Sequence, residues 1–337
     1  MIKVGLWGCG GISSFHRRAY DYLEKQGAGV KLVALCDINK DNFNNEKKIN
    51  ISTENTASLP VIDNCYTNID EMLENEELDL VDICLPTFLH KDACIKILEK
   101  NINVFVEKPM TASESECDEI LRVAEKSKGK LMVGQCVRFM KHYNYLKEIV
   151  ESKKYGRLIN AEFSRISPYP AWRKGGSVKN GGGVIFDLHI HDVDFVQYVF
   201  GVPKEISSYY EGNQSDCDTV STIFKYDEGF VRINADWSLP QSFEFTTPYR
   251  VTFERASFEF NGKDKIFLYT DDECVELNEI EITKDYILEE IAYFIDILKN
   301  NTPNIKNAPE SSAISVKLAE KIRESAMLDG EIIHIGL

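Results

Sequence analysis

The sequence predicts an α/β protein in which a doubly wound parallel sheet is followed by an α/β domain with a large, mostly antiparallel open sheet. Up to about residue 130, short apolar runs alternate with segments of helical period. After about residue 155, long runs of period two follow one another with hairpin-like turns such as Asp227-Glu228-Gly229. The first apolar run also ends in a glycine-rich turn that opens a helix.

In the first half, strands are expected at Ile2–Trp7, Val30–Cys36, Leu80–Leu85, Asn103–Val106 and Lys130–Gly134. Helices are expected at Ile12–Lys25, Ile69–Asn75, Lys91–Lys100 and Ser113–Lys128. A run such as Leu80-Val81-Asp82-Ile83-Cys84-Leu85 is apolar on both faces, as a strand covered by helices on both sides must be. The second half reads as strands at Leu158–Ser167, Ile206–Glu211, Thr219–Tyr226, Phe230–Leu239 and Tyr249–Phe260. Its helices are Val184–Phe200, stopped by Gly201, Tyr286–Asn300, stopped before Pro303, and Ser311–Leu328. The polar stretch Asp41–Thr56 reads as a surface helix or loop.

The chain has 337 residues, beyond the roughly 250–300 that a single core usually reaches. Its net charge of −15 argues against nucleic acid or an anionic membrane as the main partner. No run approaches the roughly 18 apolar residues of a membrane span. A first strand starting at Ile2 leaves no room for a signal peptide. The nine cysteines are scattered and contain no C-x-x-C pair, so a reducing cytoplasm is the expected setting and a thiolate metal site is not expected.

Val4-Gly5-Leu6-Trp7-Gly8-Cys9-Gly10-Gly11-Ile12-Ser13 has the order of strand, glycine turn and helix start that binds a pyrophosphate. Gly8 permits the tight turn, Gly10 lets the backbone approach phosphate, and Gly11 and Ile12 lead into the helix. Ser13 stands where a third glycine is usual, and a small residue still packs helix on strand. Asp37 closes the next strand 24 residues after Ser13, near the spacing of about 20 for the acid that holds the adenosine ribose. Its charge repels a 2′-phosphate, so NAD is preferred over NADP, with Lys40 nearby on the opposite side of that balance. Pro86-Thr87-Phe88-Leu89-His90 follows the next strand to the same edge. Thr87 and His90 are placed either to contact ribose or phosphate or to serve as a helix cap and a first-turn residue.

Two further motifs carry chemistry. Glu107-Lys108-Pro109 ends an apolar strand and brings a charged pair to the sheet rim, where ligands of such folds bind. Lys108 there either meets a substrate or is only part of a strand terminator. Gly181-Gly182-Gly183 precedes Asp187-Leu188-His189-Ile190-His191, and on a helix Asp187 and His191 share one face. A neutral imidazole suits removal of a hydroxyl proton, and the carboxylate beside it orients it or binds substrate. His189 lies around the helix from both, which argues against a metal site and for a buried or interface histidine.

In this order, Gly8-x-Gly10, Asp37, Glu107-Lys108-Pro109 and Gly182-Gly183 followed by Asp187-x-x-x-His191 resemble the glucose–fructose oxidoreductase/inositol dehydrogenase/MocA family. Arg138-Phe139, Gly156-Arg157-Leu158-Ile159 and Glu324-Ser325-Ala326 also sit where that family has similar residues, so the resemblance spans nearly the whole chain. It implies an NAD(P)-binding Rossmann domain over 1–130 and a substrate-binding and oligomerisation domain over 131–337, with the helix at 311–328 a candidate to pack back on the first. It implies hydride transfer between nicotinamide and a secondary hydroxyl or carbonyl of a sugar, inositol or related polyol. In that scheme Lys108 binds the reacting oxygen and the nicotinamide ribose, Asp187 binds substrate and His191 is the general acid/base. Glu107 belongs to the cofactor edge. Arg138, Trp172 and Arg173 are candidate substrate contacts, although the loop carrying Trp172, Arg173 and Lys174 reads equally as plain surface. A homodimer or homotetramer through the antiparallel sheet is expected. A non-catalytic NAD-binding regulator and an NAD-dependent glycosidase are the competing readings of the same fold.

Overall fold

A computed structural model describes residues 1–46, 58–170, 183–212 and 217–336. By its contacts the chain divides into two units, Met1–Cys136 with Asp285–Ala313, and Val137–Lys284 with Ile314–Leu337. The first unit is therefore built from two separate stretches of sequence.

That unit holds a six-stranded, all-parallel sheet of β1 (Ile2–Trp7), β2 (Val30–Cys36), β3 (Asn64–Tyr66), β4 (Leu80–Ile83), β5 (Asn103–Glu107) and β6 (Leu131–Gly134). The order β3-β2-β1-β4-β5-β6 places the switch point between β1 and β4. Helices α1 (Ser13–Lys25), α2 (Ile69–Asn75), α3 (His90–Leu98) and α4 (Glu114–Ala124) make the crossovers. Every residue of β4 and β6 is buried, as the unbroken apolar runs require. Asp82, inside β4 and 0% exposed, is the exception in chemistry though not in burial. α2 starts where the Asn68 side chain accepts the Asp70 N–H at 2.8 Å. β3 goes beyond the elements expected from the sequence, because three residues are too short to show a period.

The second unit begins with α5 (Lys141–Ser152), a helix also absent from the sequence expectation, whose buried face is His142, Tyr143, Leu146 and Ile149. The sheet strands then run β7 (Leu158–Pro168), β8 (Glu205–Glu211), β9 (Thr219–Lys225), β10 (Phe230–Leu239), β11 (Tyr249–Phe253), β12 (Ser257–Phe260), β13 (Ile266–Tyr269) and β14 (Cys274–Glu276). Between β7 and β8, a π-helical turn at Ile185–His189 leads into α6 (Ile190–Phe200). α7 (Tyr286–Asn300) belongs to the first unit, and after α8 (Pro309–Met327) the short β15 (Ile333–His334) joins the edge of the sheet. The order is β14-β13-β12-β11-β7-β10-β9-β8-β15. All pairs are antiparallel except β7 with β10 at the centre. The single strand expected over Tyr249–Phe260 is instead a hairpin, closed where Phe253 N–H donates to Ala256 O at 2.8 Å.

Strands of this sheet alternate buried and exposed residues, as β9 does along its whole length. The buried face meets α5 and α6 in a cluster of rings: Tyr143 lies 4.8 Å from Phe195 and 5.1 Å from Tyr249, which is 5.5 Å from Phe163. Such edge and tilted contacts add about 0.5–1.5 kcal/mol each beyond area burial. No helix among the described residues is long and apolar enough to cross a membrane.

Candidate active site

In the first unit the glycine turn joins β1 to α1 at the carboxyl edge of the sheet. Gly8 has φ +99°, and a Cβ there would stand 2.6 Å from Cys84 O, so the turn requires glycine. At Gly10 a Cβ would meet nothing within 4 Å. Packing inside the chain does not demand that second glycine, and an approaching ligand would. Gly10, Gly11 and Ile12 are partly exposed, and the helix start offers its first N–H groups there. Ser13 and Ser14 hydroxyls tie the turn down by donating to Gly10 O at 2.6 Å and Gly11 O at 2.8 Å.

Asp37 is buried at the end of β2. Its Oδ2 accepts the Cys9 N–H at 2.7 Å, and its Oδ1 accepts the Asn39 N–H at 2.8 Å and the Asn42 amide at 2.9 Å. Three of about four acceptor positions on a carboxylate are thus used, which orients Asp37 and leaves about one open. Burial, with Asp37 alongside, pushes the Cys9 thiol up to about 12, so it stays protonated. The residues of this turn fit a dinucleotide.

Pro86 is exposed and Thr87 partly so, at the end of β4. His90 is not at that surface. It is 1% exposed, and its Nδ1 and Nε2 lie 2.9 Å from Pro109 O and 2.8 Å from Leu85 O. Burial lowers its pKa. His90 is therefore corrected from a ribose or phosphate contact to an internal brace between the ends of β4 and β5. Glu107, expected at the cofactor edge, is also turned inward, 7% exposed, with Oε1 2.9 Å from His16 Nε2 and Oε2 accepting the Lys108 N–H at 3.1 Å. From Val104 to Thr111 only Lys108 is not buried. The Lys108–Pro109 peptide bond is cis.

In the second unit Gly183 has φ +64°, and the next residue's N–H donates to Cys217 O at 3.2 Å, starting the helical segment. From Gly183 to Gln197 every residue is buried except Asp187 and His191. The π-helical turn at Ile185–His189 was not readable in the sequence, and such turns recur at functional sites. His189 faces the other way: fully buried, its Nε2 is 3.0 Å from Thr222 Oγ1, and burial pushes its pKa down to about 3. It is a neutral core histidine.

Arg138, a candidate substrate contact, is corrected by its surroundings. It is 1% exposed and donates through Nε and Nη2 to the two Asp194 oxygens at 2.8 and 2.6 Å. Asp194 Oδ1 also accepts from Ser315 Oγ at 2.8 Å. Arg165 and Asp192 repeat the bidentate arrangement at 3.0 and 2.9 Å. Removing one partner of such a buried pair costs about 3–5 kcal/mol, so these arginines anchor α6 rather than await a ligand. Trp172 and Arg173 lie outside the described residues, as do Gly181 and Gly182.

A parallel sheet of this order, with a glycine turn after its first strand and an acid after its second, defines a dinucleotide-binding fold. Residues 2–135 match the model described as oxidoreductase family, NAD-binding Rossmann fold, and residues 143–259 match the GFO/IDH/MocA C-terminal domain. The chain belongs to the GFO/IDH/MocA oxidoreductase family.

It is similar to the myo-inositol 2-dehydrogenase of Thermotoga maritima, 23% identical over 323 residues that cover 90% of each protein. It is also similar to the 2,7-anhydro-N-acetylneuraminate hydratase of Mediterraneibacter gnavus, 29% identical over 147 residues, which cover 42% of this chain and 38% of the hydratase. The match thus spans well under half the length of the hydratase and most of the dehydrogenase. An oxidoreductase from Agrobacterium radiobacter, solved in complex with NAD+, L-tartaric acid and magnesium, has the same fold at a TM-score of 0.83 and 14% identity, with 99% of this chain and 98% of that one covered.

Proposed function

We propose that the protein is an NAD-dependent dehydrogenase acting on a secondary hydroxyl of a sugar, inositol or related polyol. The observation that carries this reading is the pair Asp187 and His191, the only residues from Gly183 to Gln197 that escape burial. A buried helical segment that exposes one carboxylate and one imidazole, four positions apart, is suited to proton transfer. Lys108 is the corresponding opening in the segment that follows β5. Similarity to a myo-inositol dehydrogenase along nearly the whole chain supports the substrate class.

When bound, the nicotinamide supplies the hydride acceptor. His191 takes the hydroxyl proton, and the Lys108 ammonium stabilises the negative charge that develops on the oxygen. Asp187 accepts hydrogen bonds from substrate hydroxyls. Gly8, Gly10, Gly11 and Ile12 hold the pyrophosphate, Pro86 and Thr87 flank it, and Asp37 takes a ribose hydroxyl. Assembly through the nine-stranded sheet, whose outer face carries exposed Tyr209 and Ile223, belongs to the same proposal.

The test is NADH formation from NAD across a panel of inositols, aldoses, sugar acids and amino-sugar derivatives. At least one member is expected to give sustained turnover, and none doing so despite measurable NAD binding would overturn the dehydrogenase reading. The second reading is an NAD-dependent glycosidase, in which oxidation is transient and NAD is regenerated within each turnover; a relative named as a hydratase, a reaction without net oxidation, favours it. Product formation that requires NAD without NADH accumulation would identify it.

Asp37→Ser should weaken NAD binding by about 10- to 100-fold, the worth of a hydrogen bond to a charged group, while NADP binding improves relative to NAD. Titration of both nucleotides against both proteins checks this. An unchanged NAD affinity would remove Asp37 from the ribose site.

A further inference from the structure

Beneath the Lys108 turn, the first unit buries a cluster of ionisable side chains that the proposed reaction does not use. His16, in the first turn of α1, is 0% exposed. Its Nδ1 lies 2.8 Å from Asp82 Oδ2 on β4, and its Nε2 lies 2.9 Å from Glu107 Oε1 on β5. Each ring nitrogen therefore meets a carboxylate oxygen, which an imidazolium with two N–H donors satisfies fully. Burial works against that charge, Asp82 works for it, and the balance holds the His16 pKa well above its ordinary value. The positive end of α1 adds to the stabilisation of both acids.

The cluster extends to α7. Glu290 is 0% exposed, and neither of its carboxyl oxygens has a hydrogen-bond partner among the described residues. Burial, with Glu107 nearby, raises its pKa well above the ordinary carboxyl value, so it stands as a neutral acid beside the charged set. Tyr20 on α1 and Cys84 after β4 complete the surroundings, and burial raises both. His16, Asp82 and Cys84 have ligand atoms within 4.8 Å of one another, and two of these atoms, His16 Nδ1 and Asp82 Oδ2, are in direct hydrogen-bond contact at 2.8 Å.

A buried ionic set of this kind is a poor means of adding stability, since well-packed apolar residues of similar volume often do as well or better. Its geometry leads to one place. Glu107 spans His16 with one oxygen and the Lys108 N–H with the other. Gly134, paired with Glu107 on β6, keeps the carboxylate's space open, since a Cβ there would stand 3.2 Å from Oε1.

We propose that His16 is a positioning residue for Lys108: it clamps the Glu107 carboxylate, which in turn fixes the backbone from which the Lys108 side chain leaves the sheet. This rests on the reading of Lys108 as the group that meets the reacting oxygen. The fixed backbone is nevertheless a property of the protein without cofactor or substrate.

The experiment compares wild type with His16→Gln, which supplies one amide in place of two ring donors. Amide hydrogen exchange of the segment around Lys108 and Met110, where Pro109 contributes no N–H, is measured in cofactor-free protein. The Lys108 amide should exchange about 10- to 100-fold faster in the variant, as loss of a charge-assisted contact implies. On the best substrate, kcat should fall about 100-fold, the effect of misplacing a reacting group by about an ångström, with the KM for NAD little changed. If His16→Gln does not fold, Glu107→Gln removes the charge that His16 holds while keeping an oxygen for the Lys108 N–H. It should give the same gain in exchange.

Unchanged exchange at Lys108 in a folded variant overturns the proposal. So does a uniform loss of thermal stability, NAD binding and activity without a local change at Lys108, which would make His16 merely structural. If wild type oxidises nothing in the panel, the exchange result still decides whether the clamp exists, separately from what Lys108 does.

Discussion

His191→Ala should lower kcat by about 10²- to 10⁴-fold, the usual contribution of positioned proton transfer, while NAD still binds. The imidazole is partly exposed, like Asp187, on a helical segment whose other residues from Gly183 to Gln197 are buried, so its removal opens no core cavity and the fold should be retained. Without it the hydroxyl proton loses its imidazole acceptor, and water or a carboxylate is a poorer base at neutral pH. Steady-state kinetics on the best polyol of the panel, together with nucleotide titration, separates the two effects. A kcat equal to wild type would remove His191 from the chemistry and leave Asp187 as the sole remnant of the motif.

The second large effect is expected at Lys108. Lys108→Ala should reduce kcat by about 10²- to 10³-fold, the range for deleting one preorganised donor to a developing oxyanion. KM for substrate or cofactor should rise as well, because the same ammonium contacts the bound ground state. Lys108→Arg should not restore the rate, since a planar, bulkier guanidinium does not replace a point charge on a flexible stem. These variants are assayed together with thermal melting. A normal rate in Lys108→Ala would reduce the tripeptide to the end of β5.

Much of the first unit was legible because its signals are local. The apolar runs of β4 and β6 are too continuous for a surface strand, and the Gly8 turn is recognisable by residues within one short segment. The spacing of Asp187 and His191 is equally local, although the π-helical geometry under it is not. The His16 clamp was invisible for the opposite reason. Its members come from positions 16, 82, 107 and 290, and in sequence each is one polar residue within an ordinary helix or strand. Arg138 misled in the same way: its partner, Asp194, lies 56 positions away, and an arginine read without its acid looks available. His90 is recognisable as internal only once the Pro109 carbonyl is beside it. α5 had a readable apolar stripe, whereas β13 and β14, at four and three residues, are too short to establish alternation.

The first unit is assembled from two stretches, and this bears on how the chain comes into being. Synthesis proceeds from the N-terminus, and domains tend to fold as they emerge. Here residues 1–136 leave the ribosome without α7, against which α1 packs and which carries Glu290 beside His16. The nucleotide half must therefore wait, with that flank wet and its histidine and acids hydrated, until some 150 further residues have been made. The ionic clamp becomes dry only at that late docking. The half that would hold the cofactor thus acquires its final electrostatics only once Asp285–Ala313 has been made.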